Sequence, residues 1–216
     1  MQRDSHTVVV TGAGGHLGRP IVAGLLERGF AVLAVTRQAV RFNDGSSWTE
    51  LGAGSDLATA DGAHRLYETV RGLEPARTSV VNCVGYFPGY KAFGEIGYAD
   101  SERTIRSNFT AVYFTALSLM PLVRADRGHF VTFTTLSASD AYPLMTAFDS
   151  SKAAVEQLTR HLANEFGNEG VQANTLALAT LKTPDKIKMK PHGDHDHWVE
   201  PRDVADMVCT IVGGRL

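Results

Sequence analysis

Short apolar runs alternate with longer amphipathic stretches along this chain, and the alternation predicts repeated strand–helix units around a parallel sheet. Thr7-Val8-Val9-Val10 is β-branched and apolar throughout, the composition of a strand buried on both faces. A helix is expected from about Gly18 to Arg28, with Pro20 in its first turn and Gly29 at its stop. Phe30 to Val35 reads as the second strand. Residues 41–55 are rich in Gly and Ser with no strong period, so a loop is expected there, with a short third strand near Ala53 to Leu57. Asp61 to Arg71 reads as helix, and Ser79 to Val84 as the fourth strand, ending in Gly85. An irregular aromatic- and Gly-rich loop from Tyr86 to Gly97 follows.

The second half repeats the scheme. A long helix is expected from Ser101 to about Leu119, with Pro121 marking its end, and Phe130 to Thr134 is a fifth strand. From Ala147 to Phe166, apolar residues at Ala154, Val155, Leu158, Leu162 and Phe166 form a helical stripe. Val171 to Leu178 is a sixth strand, and the polar, Pro-punctuated stretch from Lys182 to His197 reads as a loop or mobile lid. Pro201-Arg202-Asp203 opens a last helix to about Val212. With no internal repeat and no linker, residues 1–216 form one expected domain: a doubly wound parallel sheet with helices on both faces.

Composition narrows the partners. With 216 residues, 44% hydrophobic and 20% charged, the chain suits one well-cored globular domain. A net charge of −2 offers no basic field for nucleic acid or an anionic membrane, and no stretch approaches the ~20 apolar residues of a spanning helix. Cys83 and Cys209 lie far apart and form no CxxC pair. With no signal peptide ahead of them, they read as reduced thiols and the chain as cytoplasmic.

The first chemistry lies after the first strand. Thr11-Gly12-Ala13-Gly14-Gly15-His16-Leu17-Gly18 joins a strand to a helix. Glycines permit a tight turn and a close backbone approach to a pyrophosphate, whose charge the helix N-terminus favours. A plain structural turn is the competing reading. At the end of the second strand, an acidic residue would bind a ribose 2′-hydroxyl, and an arginine would accommodate a 2′-phosphate. This chain has Thr36-Arg37, with Arg41 nearby and no carboxylate. That favours NADP(H) over NAD(H), the alternative being that Arg37 is a solvated charge at a strand end.

On these residues the chain resembles the short-chain dehydrogenase/reductase family over essentially its whole length. The glycine string fits the Thr-Gly-x-x-Gly-x-x-Gly variant, with His16 where many members carry glycine. Asp56-Leu57 resembles the adenine-contacting pair after the third strand. Asn82-Cys83-Val84-Gly85 resembles the Asn-Asn-Ala-Gly segment that supports the sheet. Asn174, Thr183 and the stretch between them resemble the segment after strand six, with Leu178-Ala179 in place of Pro-Gly. The string from Leu178 to Pro184, followed by a lid, Trp198 and Pro201, looks most like the dihydropteridine-reductase-like branch. The resemblance implies a Rossmann-like fold and a cofactor held by Gly12, Gly14, Gly15, His16, Leu17, Gly18, Arg37, Asp56, Leu57, Asn82, Val84, Gly85, Lys152 and Thr183. It also implies a homodimer built on the helices of the catalytic residues.

The family's catalytic set is Asn, Ser, Tyr and Lys. Asn108, 27 residues before Thr135, Phe148, 13 after it, and Lys152, four further on, stand at those spacings. By resemblance, Asn108 positions a water relay, Thr135 polarises a carbonyl and Lys152 holds the nicotinamide ribose. Phe148 stands where the proton-donating tyrosine belongs. It keeps the ring and has no proton to give, and removing a positioned general acid costs about 10²–10⁴-fold. Three readings follow. The chain is a carbonyl/alcohol reductase impaired at 148; or another group such as Tyr142, Tyr86 or Tyr90 donates the proton; or it binds NADP(H) without redox turnover, as a non-redox cyclase or isomerase or as a cofactor sensor.

Other constellations carry less. The tract 192–197 packs three histidines and two aspartates into six positions, but its spacing matches no metal signature, and a lid or solvated loop is expected. His129 and His161 read as structural. No Gly-x-Ser-x-Gly elbow supports a hydrolase. Relatives add a strand after the last helix; here the sequence stops at Leu216, so that strand is expected to be short or missing.

Overall fold

The computed structural model describes residues 6–37, 48–51 and 56–214. Six strands, β1 (His6–Thr11), β2 (Ala31–Val35), β3 (Trp48–Leu51), β4 (Arg77–Asn82), β5 (His129–Thr135) and β6 (Gln172–Leu178), pair in parallel in the order β3-β2-β1-β4-β5-β6. The order reverses between β1 and β4, and a crevice opens there beyond the carboxyl ends of the strands.

Strand periodicity splits the core in two. Val9, Leu33, Val80 and Phe130 face α2 (Ala60–Gly72), α4 (Ala111–Ala125) and α6 (Thr146–Phe166), against Leu66, Leu119 and Val155. Val8, Val10, Val32 and Val131 face the other way, onto Ile21 and Leu25 of α1 (Gly18–Glu27) and Val204 and Val208 of α8 (Pro201–Val212). Both layers are needed because every residue of β2 is buried.

Several boundaries differ from the sequence reading. The third strand lies at Trp48–Leu51 rather than near 53–57; residues 53–55 lie outside the described residues, as does Arg41. The fourth strand ends at Asn82, because the chain leaves the sheet at Cys83 to line the crevice. The long helix starts earlier, as α3 (Tyr98–Ile105), passes through a π-helical turn at Arg106–Thr110 and continues as α4. Pro121 lies inside α4 rather than ending it. Its ring is on the exposed face, and the carbonyl it frees belongs to Leu117, itself 61% exposed, while Leu119, Met120 and Val123 hold the helix to the core. A one-turn α5 (Ser137–Asp140) follows β5, and the expected lid contains α7 (Pro184–Met189), capped by the Thr183 hydroxyl. No strand follows α8 among the described residues.

At the amino ends of the strands, opposite the crevice, three basic side chains share a polar cluster. His6 Nε2 is 2.8 Å from Ser79 Oγ, which also accepts from the His129 backbone, and Arg77 Nη2 is 3.2 Å from His129 Nε2. Burial first, and the Arg77 guanidinium second, pull both imidazoles down to about 4. Between their ordinary value near 6.5 and that lowered one, the unfolded chain binds more protons than the fold. Stability present above the unfolded value is therefore lost as the pH falls toward the folded one. Thermal unfolding between about pH 7 and about pH 4 should show Tm falling with acid, and His129→Gln should flatten that slope.

Candidate active site

The β1–α1 turn is built by contact. Gly12 has φ +65°, and a Cβ there would lie 2.8 Å from the Cys83 carbonyl carbon. A Cβ on Gly18 would lie 2.3 Å from the Gly12 carbonyl oxygen. Neither position admits a side chain, so the turn packs on itself and on the β4 exit. Thr11 Oγ1 donates to Asn82 Oδ1 at 3.2 Å across the switch point, and Asn82 Nδ2 is buried without a partner.

A cleft of about 1030 Å³ opens over this turn. Gly12, Gly14 and Gly15 floor one end, Val84 and Gly85 the other, and Thr36, Arg37, Asp56 and Leu57 wall the far side. Arg37 is exposed. Leu17 is not among the lining residues; it directly precedes α1 and packs against the core. Sequence reasoning missed Arg19, Arg103 and Arg106, which also line the cleft. Their signal was only the three-residue spacing that puts Arg103 and Arg106 on one helix face. Arg106 Nη2 meets Asp56 Oδ2 at 2.6 Å, and that bond, with the Ala58 N–H, holds the Asp56 carboxyl below its usual range against its partial burial. Four guanidinium groups against one carboxylate make this an anion cleft.

Beyond the glycine turn lies a second centre. The π turn places Asn108 wholly inside the protein, a device often found where a helix must aim a functional side chain. Its Oδ1 accepts from the Tyr86 N–H at 2.6 Å, and its Nδ2 donates to the Tyr86 carbonyl at 3.0 Å and to Ser151 Oγ at 2.9 Å. Lys152 is 8% exposed, donates from Nζ to the Phe133 carbonyl at 3.1 Å, and is pulled down to about 8 by burial. A Cβ on Gly85 would be 3.3 Å from Asn108 Oδ1 and 3.7 Å from Lys152 Nζ, so both side chains converge where the chain leaves β4. The Phe148 ring centre is 5.9 Å from Lys152 Nζ and packs edge-on against Phe87 at 5.2 Å.

Thr135, at the carboxyl end of β5, is half-buried, and its hydroxyl is 3.0 Å from Ser137 Oγ. Ser137 in turn lies 2.7 Å from Asp149 Oδ1. Of the three tyrosines considered as donors, Tyr86 directs its hydroxyl to Asp100 at 3.4 Å beneath the Arg103 guanidinium. Tyr90 stacks edge-on against Phe87. Tyr142 is 54% exposed, in a loop where Ala141 and Leu144 both take left-handed conformations.

The α7 lid closes over this centre. Lys186 Nζ lies 3.6 Å above the Phe87 ring and 5.2 Å from that of Tyr90. Asp185 meets His16 of the glycine turn at 3.0 Å, so His16 faces the lid. Thr183 is occupied as the cap of α7. His195 is 2.8 Å from the Lys190 carbonyl, with its ring against Trp198. Among the described residues no group of three His, Cys, Asp or Glu is placed to hold a metal, and no helix is long and apolar enough to cross a membrane.

Comparison with known proteins identifies the family and the fold. The model of the short chain dehydrogenase family matches residues 6–192. A (3R)-3-hydroxyacyl-CoA dehydrogenase of Mus musculus is 29% identical over 96% of this chain and 89% of its own length. A galactitol 2-dehydrogenase of Rhizobium johnstonii is 29% identical over 98% and 89%. In fold, a short-chain type dehydrogenase/reductase from Mycobacterium ulcerans superposes with a TM-score of 0.86 at 20% identity, over 98% of this chain and 84% of that one. ElxO, whose structure has NADP bound, superposes at 0.84 and 18% identity, over 96% and 91%. With a Rossmann-like sheet, a glycine turn at its switch point and the family model spanning most of its length, the chain belongs to the short-chain dehydrogenase/reductase family, whose members use nicotinamide cofactors.

Proposed function

We propose that the chain binds NADP(H) in the arginine-lined cleft and transfers hydride between it and a small carbonyl or alcohol substrate. The observation that carries this reading is the convergence of Lys152 and Asn108 on Gly85, at the inner end of a cleft whose outer wall holds Arg37. The floor suits a dinucleotide because no Cβ fits at Gly12 or Gly18 and because buried Asn82 Nδ2 is unpartnered beside the turn. When bound, the nicotinamide supplies the hydride. Gly14 gives a backbone N–H group to the pyrophosphate, Gly15 closes the turn by donating its own to the Gly12 carbonyl, Asp56 and Leu57 border the adenine, and Arg37 meets a 2′-phosphate. Lys152 holds the ribose, and its burial strengthens each polar contact it makes. Thr135 donates a hydrogen bond to the carbonyl, Asn108 stations a water, and Thr183 and Val84 border the nicotinamide side. The exposed Tyr113 and Leu117 on α4 suit a homodimer through the outer faces of α4 and α6.

Phe148 favours a second reading. Its ring has no ionisable group and sits packed against Phe87 beneath Lys186. A protein that binds NADP(H) without redox turnover, as a cyclase or isomerase or as a cofactor sensor, would keep the cleft and lose only the phenol.

Titration by nicotinamide fluorescence should give tighter binding of NADPH than of NADH. Arg37→Ala should weaken NADPH by roughly 10–100-fold, the worth of one charged hydrogen bond, and leave NADH nearly unchanged. Equal losses for both nucleotides would remove the 2′-phosphate assignment. On a panel of ketones, β-keto thioesters and ketoses, Phe148→Tyr should raise NADPH oxidation by about 10²-fold or more. Tight NADPH binding with no turnover in either protein would favour the non-redox reading.

A further inference from the structure

Two side chains beside the proposed site are left without a task by that reading. Asp149, directly after Phe148, is 6% exposed, and Ser137 is 4% exposed. Asp149 Oδ1 is 2.7 Å from Ser137 Oγ, Ser137 Oγ is 3.0 Å from Thr135 Oγ1, and Asp149 Oδ2 is buried with no partner. We propose that Asp149 is a buried carboxylic acid that supplies the substrate's proton through the hydroxyls of Ser137 and Thr135, replacing the phenol absent at position 148. The inference rests on the reductase reading above.

Geometry favours the protonated form. An ionised carboxylate with one oxygen buried and unpartnered loses much of its solvation. With the proton on Oδ1, the 2.7 Å contact carries its O–H to Ser137, and the bare oxygen becomes a carbonyl, cheaper to leave alone. Burial pushes the acid upward, and only the Ser137 hydroxyl opposes it; no cation from a neighbouring element takes part. The rival assignment is an ionised Asp149 in the first turn of α6, favoured by the helix dipole and anchoring α5 through Ser137.

The step balances. As hydride from a reduced nicotinamide joins the carbonyl carbon, the C=O π pair moves to oxygen. That oxygen takes the Thr135 proton, Thr135 takes the Ser137 proton, and Ser137 takes the Asp149 proton, leaving a carboxylate. In the ionised state the Ser137 hydroxyl donates to Asp149 Oδ1. Of the three residues only Thr135 is appreciably exposed, so after the alcohol leaves, a proton from water returns along the same chain. Asp149 meets neither substrate nor cofactor, and acts through Thr135.

The test reads Asp149 directly and through turnover. The infrared difference between the parent and Asp149→Asn at neutral pH should show a protonated-carboxyl C=O band that shifts in D2O and again in Ser137→Ala. In NADPH-dependent reduction on the same ketone panel, Asp149→Asn and Ser137→Ala should each lower turnover by about 10²-fold. The loss from Asp149→Asn should be at least about tenfold smaller in a Phe148→Tyr background, where a phenol offers a second route. Carboxylate bands at neutral pH would overturn the relay, whatever the activity. So would parent-like turnover in Asp149→Asn, or reduction by Phe148→Tyr when the parent is inert. No reduction by the parent or by Phe148→Tyr would overturn the reductase reading itself, and the relay with it.

Discussion

Gly12 passes the exit of β4 so closely that a single added carbon would collide with the Cys83 backbone, and Gly18 passes Gly12 more closely still. These contacts fix where β1 ends, where α1 begins and how far the chain after Asn82 stands from both. The cleft exists because the backbone occupies space that side chains would otherwise fill. Gly85 repeats the arrangement three residues beyond β4, and there the ammonium of Lys152 and the amide of Asn108 approach the main chain. Asn108 and Lys152 thus come close to the main chain because position 85 carries no side chain, and close packing of this kind has little room to relax.

The second constraint is dielectric. Lys152 is enclosed by β5, α6 and the β4 exit, and burial alone pulls its ammonium down to about 8. The neighbouring Cys83 thiol is pushed up for the same reason, so it stays neutral beside the lysine. Asp149 is raised from the same helix. One stripe of α6, Asp149, Lys152, Val155, Thr159 and Leu162, carries these groups at its start and the hydrophobic core at its end. The apolar end anchors the helix, and the anchored helix can then hold polar groups in places where they are poorly solvated.

The alternation of apolar runs was enough to read the sheet, because β1, β2 and β4 are buried almost throughout and their composition shows it. The positions of Asn108, Thr135, Phe148 and Lys152 were legible from spacing. The approach of Asn108 and Lys152 to Gly85 was not, since Asn108 sits in a π turn that no local propensity announces. Pro121 misled because a helix stop was inferred from chemistry, whereas burial of Leu119 and Val123 on either side decided the outcome. The short third strand carries too few residues for a period to register. Ser137 and Asp149 went unread because a serine before a helical turn and an aspartate at a helix start usually cap or face water. Only burial distinguishes these two. Arg103 and Arg106 went unread because only the fold brings them to the cleft.

The π turn at Arg106–Thr110 also alters the phase of the helix that contains it. One extra residue in a period of 3.6 displaces everything downstream by about 100° around the axis. Before the turn, the rod shows Asp100 and Arg103 to the aromatic loop and the cleft; after it, Val112, Leu119 and Val123 face the sheet. A straight helix of the same length would have a single inward stripe and could serve one of these surfaces well. By slipping one residue at Asn108, the rod addresses two surfaces that lie at different angles, and the residue at the slip is the one buried against Gly85.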